Sequence, residues 1–103
     1  MSSADNHAVM TFGGTTVIST YRGGFLFQWV FEKKGDVNVA SSLRVAMLTN
    51  GDALPVSPDV VLPEVFYEAA RRMQLIAIRC FGMGTPLTYA LRFMEIRMRG
   101  KKE

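Results

Sequence analysis

One cysteine, Cys80, and one histidine, His7, are the only sulfur and imidazole ligands of the kind zinc takes in the 103 residues. A lone cysteine closes no intrachain disulfide, so nothing ties the fold to an oxidising compartment. Structural zinc takes four ligands drawn from Cys, His and carboxylates, and this pair falls far short. A Ser-His-Asp or Cys-His arrangement would have to recruit His7, which stands in a polar N-terminal segment that reads as frayed and inert. Cys80 lies in the apolar run 75–81 and reads as a small buried hydrophobe. Long apolar runs are also missing. The longest uncharged stretch, 6–21, holds four threonines, a serine and two glycines, so it is no membrane span. Residues 1–7 lack the basic and apolar regions of a secretory signal. The expectation is a protein of the cytoplasm or another intracellular compartment, not secreted and without a membrane partner.

Cofactor fingerprints are absent too. The pairs Gly13-Gly14 and Gly23-Gly24 give neither GxGxxG nor GxxxxGK[ST], and neither leads into a helix. They read as turns. Gly82-Met83-Gly84-Thr85-Pro86 does lead toward a candidate last helix, whose N-terminus can face an anion. That signal is weak, because a Gly-rich connection with a Thr-Pro cap is common structural chemistry. Asp36, Asp52 and Asp59 fall in turns, and Glu64 and Glu68 share a helical stretch, so no paired catalytic carboxylates are indicated. The expectation is a non-catalytic chain with no catalytic, cofactor or metal site and no small-molecule ligand.

What is present is a core. Hydrophobic residues make up 49% and charged residues 20%, the balance of a globular chain. The length suits one domain, expected over 8–99, with a flexible tail at 1–7 and a basic tail at 100–103. Val9–Phe12, the Gly13-Gly14 turn and Thr15–Tyr21 read as a strand hairpin. Phe25–Glu32 is the clearest strand: Phe25, Phe27, Trp29 and Phe31 fall on one face, because side chains alternate along a strand. The opposite face, Leu26, Gln28, Val30 and Glu32, is half apolar, which places this strand inside the sheet. The stretch Arg22–Trp29 has a passing likeness to an aromatic RNA-recognition strand. Gly24 stands where that pattern has a ring and no helix precedes it, so the row reads as core. Lys33–Asp36 is a polar turn. Residues 42–49 read as a strand ending in the Asn50-Gly51-Asp52 turn. Residues 53–59, with Pro55 and Pro58, read as an extended loop.

Residues 63–73 predict a helix. Pro63 suits its first position. Glu64 and Glu68 near the start and Arg71 and Arg72 toward the end complement the helix dipole. Phe66, Ala69, Ala70 and Met73 form its apolar stripe. The tail carries two periodicities. As strands, 75–81 and 87–98 make a hairpin, with Leu87, Tyr89, Leu91 and Phe93 on one face and a bulge before Met94, Ile96 and Met98. As a helix, 87–99 places Thr88, Arg92, Glu95 and Arg99 on one polar face, with Gly100 as the stop. The hairpin is slightly favoured. The expected fold is α+β: a mostly antiparallel sheet in the order ββββαββ packed on one main helix 63–73, with ββββαα and a C-terminal helical hairpin as the alternative.

Charge is unevenly spread. Residues 1–59 carry four basic and five acidic groups, and residues 60–103 carry eight basic and four acidic, for a net +3 overall. A basic C-terminal half suits an anionic partner. Arg71, Arg72, Arg92, Arg97, Arg99, Lys101 and Lys102 are the candidate contacts to RNA or DNA, with Tyr89 or Phe93 available to stack on bases. A second surface is implied by Leu26 and Val30, and by Met94, Ile96 and Met98 if that segment is a strand, which need a cover the chain barely supplies, and the seven methionines add adaptable contact surface. That points to a homo-oligomer, a dimer first. The expected function is a nucleic-acid-binding domain acting as a homo-oligomer through its basic half. The alternative is a protein–protein or self-assembly module without nucleic acid.

Overall fold

The computed structural model describes residues 7–82 and 86–101, with side chains over 7–82 and 91–99. Five strands, β1 (His7–Phe12), β2 (Thr15–Arg22), β3 (Phe25–Lys34), β4 (Val37–Thr49) and β5 (Asp52–Val56), form one antiparallel sheet in sequence order. A 3₁₀ turn at Pro58–Val60 leads to α1 (Pro63–Phe81) and then α2 (Pro86–Lys101). The fold is α+β, with the antiparallel sheet and the helix from Pro63 as expected.

Each pair of neighbouring strands is joined by a two-residue turn. At Gly23-Gly24 both residues have positive φ, 60° and 85°, the requirement of a type I′ turn, whose twist matches the strands it joins. Gly23 is doubly constrained. A Cβ there would sit 2.9 Å from Cγ1 of Val65 on α1. Gly23→Ala is therefore expected to cost more stability than Gly24→Ala, by about 1 kcal/mol or more, in paired thermal melts.

The aromatic row of β3 is the centre of the core. Phe27, Trp29 and Phe31 are fully buried and Phe25 packs against them. The Trp29 indole N–H donates to Oγ1 of buried Thr20 on β2 at 2.9 Å, so the polar edge of the ring is satisfied. Phe66 of α1 and Phe93 of α2 both meet Trp29 edge-on, at 5.6 and 5.0 Å. Ala69, Ala70, Met73, Ile76 and Ala77 extend the α1 stripe. Small residues let the helix lie close to the sheet.

Three expectations are corrected. Residues 75–81 continue α1 instead of forming a strand, because Ile76, Ala77 and Phe81 carry the inward stripe onward at helical spacing. Residues 86–101 are helical, and α2 runs through Gly100 to Lys101, so the helical alternative for the tail is the one realised. Within that helix Phe93 is buried while Leu91 is exposed, which a strand with both on one buried face would forbid. Residues 52–56 are a strand and not a loop. Pro55 is accommodated because β5 is an edge, where one row of N–H groups needs no partner. The one register shift in the β3–β4 pair lies at Val30/Phe31, opposite Ser41 and its neighbours.

Candidate nucleic-acid interface

The helices cover one sheet face and carry most of the basic side chains. From Pro63 to Lys101 there are seven basic residues against three acidic ones. From His7 to Val60 there are four of each sign. The charge asymmetry of the sequence thus becomes a difference between two layers: a basic helix layer on a sheet layer with no net charge.

The candidate arginines do not share one fate. Arg71, Arg92 and Arg99 are exposed, and Arg72 is half-buried. Arg71 and Arg99 have no acidic partner among the described residues, and the same holds for Arg79 in the last turn of α1. Arg92 lies 3.6 Å from Glu95 on the next turn, an exposed pair worth little. Arg22, which the sequence did not single out, pairs with Glu68 at 2.7 Å and ties the end of β2 to α1. Lys101 closes α2 without a described side chain, and Lys102 lies outside the described residues. The Tyr89 side chain is also undescribed. Phe93 is wholly buried against Trp29 and Phe31, so it offers no face to a base.

Arg97 turns inward. Its Nε donates to the carbonyl of Pro58 at 3.2 Å and its Nη2 to the carbonyl of Val61 at 2.5 Å. Its guanidinium lies 4.8 Å from the Phe66 ring centroid. The planar fork of arginine meets two carbonyls and a ring at once, which lysine cannot do. Arg97 therefore clamps the connection between β5 and α1 onto α2. Arg97→Ala is expected to lower stability by about 1–3 kcal/mol, since two charge-assisted bonds are lost. Arg97→Lys should recover only part of that in a denaturant titration.

His7 opens β1, opposite Thr20, and is exposed. Cys80 is exposed in the last turn of α1, not buried as expected: Phe81, one residue on, is the side chain that turns in against Phe31. Among the described residues no three His, Cys, Asp or Glu side chains gather as a metal-binding group. No helix among the described residues is long and apolar enough to cross a membrane.

Exposed apolar side chains gather on two surfaces of particular note among the described residues. On α2, Leu91, Met94 and Met98 form an exposed row, with Glu95 and Arg99 along the same shallow groove. Their i, i+3, i+7 spacing was the available signal. The second is the sheet face turned away from the helices, where Leu26 and Val30 of β3 lie half-buried with no layer above them among the described residues. Comparison with known protein families, characterised proteins and solved structures finds no match to this chain.

Proposed function

We propose that the chain is a non-catalytic nucleic-acid-binding domain that acts as a homo-oligomer, with the outer side of its helix layer turned to phosphates. The observation that carries this is the exposed set Arg71, Arg79 and Arg99, none with an acidic partner among the described residues. Cations left without an internal acid release counterions when they meet phosphates, and that release drives binding without regard to sequence. Arg92, held only by its exposed pair with Glu95, lies on the same helix layer. Arg97 is withdrawn from it, because its donors are used inside the fold. The single cysteine suits a reducing, intracellular setting.

Fluorescence anisotropy with short single-stranded and duplex oligonucleotides tests this. Affinity should fall steeply between about 50 and 200 mM salt, and Arg71→Ala or Arg99→Ala should each lower the log–log salt slope by about one. No binding at the lowest salt, or an affinity that salt does not move, rejects the reading.

The open sheet face favours a second reading, in which the chain is a self-assembly or adaptor module that binds no nucleic acid. Its support is the half-apolar face of β3, which the helices leave without a cover.

A further inference from the structure

We infer that the open face of the sheet is an interface between two copies of this chain, packed sheet to sheet about a two-fold axis. The inference deepens the oligomer part of the reading above and rests on it.

The strand register lays the face out in rows. The central row runs Met10, Val17, Val30, Ser42 across β1 to β4. On one side lies Ala8, Ser19, Gln28, Arg44, and beyond it Tyr21, Leu26, Ala46, Pro55. On the other side lies Phe12, Thr15, Glu32, Val39. Five strands about 4.8 Å apart and about seven residues of ~3.3 Å give a footprint on the order of 450 Å². That is of the same order as the ~800 Å² of accessible surface each partner contributes to an ordinary stable dimer.

The rows are self-complementary about one axis. A two-fold along the central row seats Val17 and Val30 on their own copies. It places the Ala8 row of one protomer over the Phe12 row of its partner. The large Phe12 then meets the small Ala8, and Ser19 meets Thr15. Arg44 comes to lie over Val39, one strand away from Glu32 of the facing copy. Within its own copy Arg44 has no acidic partner among the described residues, and Glu32 sits two rows off. Aligned packing of this kind is how two sheets normally meet face to face, about 10 Å apart.

A nucleic acid is the poorer occupant. In these rows the single cation Arg44 is offset by Glu32, and the rings Phe12 and Tyr21 stand at separate corners, so no stacking ladder exists. With the sheets joined, the basic helix layers face outward on both sides of the dimer.

A charge swap tests the interface. Light scattering and sedimentation on the full chain should show a dimer. Arg44→Glu and Glu32→Arg should each weaken it by at least about tenfold, because each sets like charges across the interface. The double exchange should restore it to within about threefold, while all variants keep a folded near-ultraviolet spectrum. In a Cys80→Ser background, Val17→Cys on the axis should cross-link to its own copy with a short bismaleimide, and Met94→Cys on α2 should not. Four results overturn the inference: a monomer at all concentrations, single reversals that the double exchange does not rescue, cross-linking through Met94→Cys instead, or an oligonucleotide that protects Val17→Cys in a monomer. Oligonucleotide affinity measured on the same variants keeps the two proposals apart, because binding through the helix layer should survive loss of the dimer.

Discussion

Trp29→Ala should leave no stably folded protein at 25 °C. Truncating a buried Trp costs about 3–5 kcal/mol in lost burial and residual cavity. Here the ring is fully buried and touches three other rings, Phe27, Phe66 and Phe93, so the cavity would open between the sheet and both helices. The Thr20 hydroxyl, itself buried, would also lose its partner, adding about 1–3 kcal/mol. The total of about 4–8 kcal/mol matches the lower half of the ~5–15 kcal/mol expected of a domain this size. Two milder variants separate the contributions. Trp29→Phe should keep most of the packing but leave the Thr20 hydroxyl without its donor. Thr20→Val should leave the indole N–H unpaired at nearly constant volume. Each should cost about 1–3 kcal/mol. Combining them removes both polar partners, so the double variant should be less destabilised than the sum of the two. Urea denaturation followed by far-ultraviolet circular dichroism measures all four. Full additivity would show that the Trp29–Thr20 bond contributes nothing beyond packing.

The centre of this core was readable from the chain because two signals agreed. The ring row at period two and the turns either side of β3, Gly23-Gly24 before it and Lys33–Asp36 after it, agree on a strand with one buried face. The start of α1 was equally plain, since Pro63 opens a stripe that begins at Phe66. The failures share a cause. Residues 75–81 and 87–99 satisfy helical and strand periodicities alike, and only the surface they meet decides between them. α1 continues because Ile76 and Ala77 find a buried place in the core. Pro55 signalled a break and instead marks an edge, a distinction that depends on how many strands lie beyond it. The candidate interface was legible only as a charge asymmetry. That Arg97 turns inward was hidden, because its partners are backbone carbonyls at 58 and 61, and carbonyls carry no sequence signal.

The attachment of α2 follows from the same geometry, and its failure should be separable from that of the rest of the fold. Phe93 is the one fully buried side chain among the described side chains of this helix; Ile96 only packs against the core, and Arg97 holds the connection at 58–61. Leu91, Met94 and Met98 face water. A 16-residue helix with so narrow a buried edge cannot rely on intrinsic helicity, which is marginal at that length in water. Phe93→Ala should therefore remove about 3–5 kcal/mol from docking and release α2 as a unit. Amide exchange in 91–99 should accelerate by a factor of 10² or more, while β2, β3 and the first half of α1 keep most of their protection. Those elements hold one another through Phe27, Trp29, Phe66 and Met73 without α2. A uniform loss of protection through the sheet would instead make α2 part of a single cooperative unit. The charge distribution adds a functional consequence. Arg92 and Arg99 ride on α2, so undocking it should lower oligonucleotide affinity and salt slope together, while Arg71 and Arg79 on α1 keep their positions.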